Sequence, residues 1–189
     1  EVRDTKQVWR WVLGQPDERE LVFDAGSELI RNWDVSEDGT ILVMNLETPD
    51  PRSHRIIGLS TKDQHVLYEF ECNLAKALTI APDQSCFAFA RNDDIELREL
   101  ESGEYLASLT GHMSTISDLA FSRDSQRLAS ASFDRTVKCW NLIHRELEWS
   151  VLAHSNRALA VAFTPDGTRV VSAGVDSIIR FWATESGIE

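Results

Sequence analysis

The chain has 189 residues, 42% of them apolar and 26% charged, and a formal net charge of −12. That balance describes an ordinary globular chain long enough to bury a core. A surface this acidic repels phosphate backbones, so nucleic-acid binding is not expected, and no apolar run reaches the roughly 18 to 20 residues that span a bilayer.

The acidity is uneven: residues 1–110 carry 11 Lys/Arg against 22 Asp/Glu, and residues 111–189 carry 8 against 9. No polybasic segment offers itself to anionic lipid. Cys72, Cys86 and Cys139 are odd in number and far apart. They match neither a disulfide framework nor a zinc site and read as free thiols in a reducing cytoplasm. With no initiating Met and no charged-then-apolar leader, the chain is expected to be a fragment of a longer cytoplasmic protein.

In chain order, "VWRWVL" (Val8–Leu13) and "ERELVFDAG" (Glu18–Gly26) read as two strands. The literal dipeptide Trp33-Asp34 follows, just ahead of a turn "SEDG" (Ser36–Gly39), and is expected to be incidental. The strand "TILVMNL" comes next, then a long connection "LETPDPRSH" (Leu46–His54) stiffened by Pro49 and Pro51. Further turns are "APDQ" (Ala81–Gln84), "SRDS" (Ser122–Ser125) and "TPDG" (Thr164–Gly167), so aspartates fall at 38, 83, 124 and 166, in steps of 45, 41 and 42. Asp, Pro and Gly suit tight turns. The β-branched and apolar runs beside them ("CFAFA", "RLASAS", "RVVSAG") have the length and alternation of strands, about four per repeat.

The last two repeats match residue for residue. "GHMSTISDLAFSRDSQRLASASFDRTVKCWNL" from Gly111 aligns with "AHSNRALAVAFTPDGTRVVSAGVDSIIRFWAT" from Ala153. His112, Ser130, Asp134 and Trp140 recur 42 residues later as His154, Ser172, Asp176 and Trp182, while Ser132 is matched by Gly174. Ser, His and Asp together suggest a hydrolytic triad. An active site has no reason to be copied at a fixed step, however, and Ser130 lies mid-strand rather than on a strained nucleophile elbow. No catalytic residue is therefore assigned.

A period of 40 to 45 residues with four strands, a GH element and a Trp-bearing strand resembles the WD40-repeat β-propeller family. The resemblance is clear over residues 111–189 and weak over 1–110, where Arg98 stands at the Trp position. It implies an all-β propeller of four-stranded WD40-type blades, about four blades' worth, part of a larger ring. The single segment 1–189 divides into a partial blade 1–26, blades 27–72, 73–110 and 111–153, and a partial blade 154–189. Trp11 aligns with Trp140, so the first partial blade begins at its third strand.

The resemblance further implies that each Trp–Ser–His–Asp set is a buried structural hydrogen-bond chain, His112–Ser130–Asp134–Trp140 and His154–Ser172–Asp176–Trp182. It also implies a partner-binding top face. The family's contact positions are the residue before the tetrad aspartate and the third and fifth residues after the tetrad histidine. They fall on Thr115, Ser117 and Phe133 in one blade and on Arg157, Leu159 and Val175 in the next. Phe133 and Arg157 are of the types enriched at interface hot spots, and the Leu46–His54 connection should rise on the same face.

His54, His65 and His144 read as surface or packing residues, the tryptophans as core, and the acidic turns as plain turns rather than calcium loops. No cofactor or metal is assigned. The expected function is a non-catalytic scaffold for a protein or peptide partner, with a homodimer through open propeller edges as a further expectation. The alternative is a propeller that binds a small molecule or carries catalysis near its central channel. The innermost stretches "SDLAF" and "ALAVAF" are mainly small and apolar, which speaks against it.

Overall fold

The four turn aspartates set the framework. In the computed structural model, which describes residues 6–12, 15–50 and 52–189, Asp38, Asp83, Asp124 and Asp166 each accept the backbone N–H two residues on. The donors are Thr40 (3.0 Å), Ser85 (3.0 Å), Gln126 (3.1 Å) and Thr168 (3.1 Å). The residue between has positive φ in all four: Gly39 at 73°, Gln84 at 62°, Ser125 at 58° and Gly167 at 69°. Glycine takes that conformation without a Cβ penalty; a side chain there bears modest strain that the carboxylate bond helps to offset.

Each turn joins the first two strands of an antiparallel sheet. Leu29–Val35, Ile41–Glu47, Ser53–Ser60 and Val66–Asn73 form one sheet; Ala75–Ile80, Cys86–Arg91, Asp94–Glu99 and Tyr105–Leu109 form the next. Ile116–Phe121, Arg127–Ser132, Thr136–Asn141 and Glu146–Leu152 form a third, and Ala158–Phe163, Arg169–Gly174 and Ile179–Ala183 a three-stranded fourth. Ahead of them, Gln7–Val12 and Gln15–Asp24 pair as a two-stranded sheet. In chain order the strands are β1–β2, β3–β6, β7–β10, β11–β14 and β15–β17. The described residues contain no helix, and so none long and apolar enough to cross a membrane.

The strand pattern follows from sheets stacked face to face. Middle strands are covered on both faces and are buried almost from end to end, small or polar residues included, as in "ILVMNL" and "RLASAS". The outermost strands β6 and β14 are largely open to solvent. Separate apolar clusters fill each gap between consecutive sheets. Val8 and Val22 meet Leu42, Met44 and Leu59; Val43 and Ile56 meet Phe87 and Phe89. Ile95 and Leu97 meet Leu128 and Trp140, and Val137 and Cys139 meet Val161, Val170 and Trp182. The first strands β3, β7, β11 and β15 lie side by side, which makes them the innermost strands of blades around a channel. This is an all-β arrangement of propeller blades.

One sequence expectation needs correction: Trp33 is not core but 44% exposed. The Trp33-Asp34 dipeptide lies on the first strand of its sheet, away from the third-strand position of Trp140 and Trp182. Asp34 has a separate role, its carboxylate crossing to the next sheet to accept the Ile80 N–H at 2.8 Å. The side chain of Trp11 and the residue Pro51 lie outside the described residues.

Candidate functional site

Ser130 and Ser172 point from the second strands of their sheets toward the indole of the third. Trp140 Nε1–H donates to Ser130 Oγ at 2.9 Å, and His112 Nε2 lies 2.7 Å from the same oxygen. His112 Nδ1 is 2.8 Å from Asp134. With Nδ1–H donating to the carboxylate, Nε2 accepts the serine hydroxyl and every polar atom is matched. The second set repeats this. Trp182 to Ser172 is 2.9 Å, His154 Nε2 to Ser172 is 3.0 Å, and His154 Nδ1 to Asp176 is 2.9 Å.

The aspartates also tie loops. Asp134 accepts from the Met113 N–H (2.9 Å), the Thr136 N–H (2.8 Å) and the Thr136 hydroxyl (2.6 Å). Burial pushes the Asp134 carboxyl up, but the donated bonds outweigh it and hold the group well below the usual carboxylate range. Asp176 is similarly opposed and held at about 2. The serines and histidines are buried, and each serine hydroxyl is already bonded to both indole and imidazole. No substrate carbonyl reaches Ser130. The arrangement joins strand to strand.

Further cross-links were not visible in the repeat. Asp118 accepts the Val161 N–H at 2.9 Å across the sheet gap, as Asp34 does for Ile80. Burial pushes the Asp118 carboxyl up, against the pull of the bonds from Val161 and Leu119. His54 is buried, 2.9 Å from Asn45 Oδ1, and Asn45 Nδ2 donates to the Ala75 carbonyl of the next sheet at 2.8 Å. Burial lowers the His54 pKa. All three cysteines are free, and burial pushes the thiols of Cys72 and Cys139 up to about 11 and about 12. At neutral pH they are poor nucleophiles.

The feature that opens to solvent is built by a repeated irregularity. Each innermost strand has a register break near its start: between Ile30 and Asn32, Ala75 and Leu78, Ile116 and Asp118, and Ala158 and Ala160. A bulge of this kind re-aims a side chain. Here the residues in the breaks include Arg31, Lys76, Ser117 and Leu159, and all four line one depression of about 520 Å³ at the channel mouth. Phe133 completes it, with Glu47, His54 and Leu74. Glu47 and His54 flank the long connection between β4 and β5, so that loop rises at this same end.

Of the six contact positions named from the sequence, Ser117, Phe133 and Leu159 line this mouth. Arg157 packs over the Phe133 ring, its Cζ 4.7 Å from the ring centre. Val175 is exposed and its N–H donates to the Arg157 carbonyl; the Thr115 carbonyl accepts from the Phe133 N–H. The Ser117 hydroxyl is engaged inside the fold, 2.8 Å from the Ala158 carbonyl of the next sheet and 3.0 Å from that of Ala131. The opposite mouth is a wider depression of about 820 Å³ lined by the turns, with Asp34, Glu37, Asp83 and Asp124 facing one cation, Arg123.

Comparison with known proteins agrees with this geometry. The family described as "WD domain, G-beta repeat" matches residues 103–141 and 145–183. The U3 snoRNP-associated protein-like EMB2271 of Arabidopsis thaliana is 27% identical over 137 residues, covering 69% of this chain and 29% of that protein. The solved "Structure of U3-55K" superposes with a TM-score of 0.72 at 24% identity, covering 83% of this chain and 50% of the other. A chain of the "Crystal Structure of Mitotic Checkpoint Complex" superposes with a TM-score of 0.80 at 18% identity, covering 96% and 58%. The chain thus spans about half of each solved propeller and under a third of this relative. Residues 103–141 and 145–183 are thus WD40 repeats, and the stacked sheets around them share the fold of solved WD40 β-propellers.

Proposed function

We propose that the chain is a non-catalytic scaffold that holds a protein or peptide partner at the bulge-lined mouth, with Phe133, Arg157, Leu159 and Val175 as the contact residues and Thr115 and Ser117 shaping their backbone. One observation carries the reading: four successive sheets break register at the same place and present side chains to a single open depression. The buried hydrogen bonds beneath it hold that surface rigid, which lowers the entropy lost on binding. Neither nucleic acid nor a membrane is the target, in keeping with the net charge of −12. Three unpaired thiols suit a reducing compartment such as the cytoplasm.

The test is capture by the immobilised chain. A partner held by wild type and by Arg123→Glu, at the opposite mouth, should be lost with Leu159→Asp and with Phe133→Asp. Retention by both mouth variants would overturn the reading.

A second contact is supported by the outer face of β15–β17. Ile179 and Phe181 are 64% and 45% exposed, whereas their counterparts one sheet earlier, Val137 and Cys139, are 0% exposed under the following sheet. We infer that a second copy of the chain covers this face, since two such arrays hold the blades of one ring. Light scattering should then give a dimer that Phe181→Glu dissociates; a wild-type monomer at every concentration rules the dimer out.

A further inference from the structure

The bulge-lined mouth carries an unusual charge for so acidic a chain. Lys76, from the break in β7, and Arg157, just ahead of β15, both pack on the Phe133 ring, the ammonium 5.5 Å and the guanidinium carbon 4.7 Å from its centre. Arg31, from the break in β3, lines the same mouth. One carboxylate lies there, Glu47, and it is paired with Arg31. Among the described residues, Lys76 and Arg157 form no ion pair, although the chain carries 31 acidic residues against 19 basic ones. The opposite mouth has the reverse sign, four carboxylates to one cation. Charge is therefore sorted along the channel axis.

An aromatic ring attracts a cation without supplying a counter-charge. An anion that reaches Phe133 meets N–H donors from both Lys76 and Arg157, with the guanidinium able to bind a carboxylate in a bidentate fork. Around this point the mouth is apolar: Phe133, Leu159, Leu74 and Ala75. The combination suits a short segment that offers a carboxylate with an aliphatic side chain beside it. It suits a polyanion less well, because Glu47 stands in the mouth and the surrounding chain repels a phosphate backbone.

We propose that the mouth is a docking site for an acidic peptide segment of a partner protein, whose Asp or Glu carboxylate bridges Lys76 and Arg157 over Phe133 while a neighbouring aliphatic side chain rests on Leu159 and Leu74. This rests on the reading of the mouth as the partner-binding face, and adds the chemistry of the partner.

The experiment uses three labelled probes followed by fluorescence anisotropy. One is a peptide of about twelve residues built from Glu, Asp and Leu, the second is its Gln/Asn/Leu counterpart, and the third is oligothymidylate of similar length. The acidic peptide should bind and its amide counterpart should not, with affinity falling as salt rises. Lys76→Glu and Arg157→Glu should each weaken binding by about tenfold or more, while Arg123→Glu leaves it unchanged. These positions are exposed, so thermal melts of the variants should match wild type. If neither peptide binds, or if the amide peptide binds equally well, the acidic proposal is overturned. In the second case, loss with Phe133→Ala would leave the docking face standing without its charge preference. Tighter binding of oligothymidylate, lost in the same variants, overturns it in favour of a nucleic acid. Acidic-peptide binding unaffected by any mouth variant overturns both the proposal and the docking face.

Discussion

The sheets β11–β17 and the sheets β3–β10 reach the same architecture by different chemistry. Strand pairing places corresponding positions side by side: Trp140 pairs with Leu128, Trp182 with Val170, Leu59 with Leu42 and Arg98 with Phe87. Two residues beyond those partners stand Ser130 and Ser172 in the first group, but Met44 and Phe89 in the second. The serine that receives an indole N–H is replaced by a buried apolar side chain, and the tryptophan by Leu59 or Arg98. Arg98 stays half-buried by packing over Phe70 at 3.8 Å and by donating to Glu96 and to the Gly103 carbonyl. Beside it Tyr68, Phe70, Phe87 and Phe89 form a continuous aromatic row. A blade can be held by a satisfied polar chain or by packing, because replacing every partner of a buried network with apolar groups can be nearly neutral. Removing one partner alone is not.

That difference predicts unequal responses. The largest effect is expected in the packed group: Phe89→Ala empties a site at 0% exposure between Phe70 and Phe87, at about 3 to 5 kcal/mol for a buried Phe. Chemical denaturation of the variant measures it. A loss under about 1 kcal/mol would mean that the aromatic row does not hold these blades.

Asp134→Ala comes next. It removes a carboxylate that accepts from His112, Met113 and Thr136 and leaves those donors unpaired. The expected loss is about 3 kcal/mol, a fall in Tm of roughly 6 to 12 °C for a chain of this size. The pH dependence separates the polar group from the packed one. The folded Asp134 and Asp176 pKa values are depressed, so their stabilisation is fully present above the unfolded carboxylate value of about 3.9 and is lost as pH falls through the folded values. The gap between wild type and Asp134→Ala should be constant from pH 7 to about 5 and close progressively below about 4. The gap for Phe89→Ala should show no such closure.

The polar group was legible in the sequence because its members recur together at one spacing. The turns were legible because Asp followed by a positive-φ residue is a local requirement. Even the absent second serine has a reason: a Cβ at Gly174, where Ser132 stands one blade earlier, would come within 2.6 Å of the His154 ring. The packed group was not legible, since Met, Phe and Leu in strands state burial but not partners. The single cross-links were hidden for another reason. Asn45 to Ala75, Asp34 to Ile80 and Lys76 with Phe133 each join different sheets once, with no repetition to mark them. The bulge positions were named only where a tetrad histidine set the register, which gave Ser117 and Leu159 but not Arg31 or Lys76.

The smallest expected effect tests one of those hidden links. Asp118 is a carboxyl whose burial raises its pKa while it accepts the Val161 N–H of the next sheet. Asp118→Ala strands that N–H and should cost about 1 to 2 kcal/mol. Asp118→Asn keeps an acceptor oxygen and discards the buried charge, so at pH 7 it should melt within about 0.5 kcal/mol of wild type, on either side. The sign then follows from the titration. A carboxyl with a raised folded pKa weighs against the folded state once ionised, so wild type should gain on the Asn variant as pH falls below the folded value. If Asn proved as damaging as Ala at pH 7, the charge itself would be the stabilising element. The link between the sheets would then be an ionic one rather than a simple hydrogen bond.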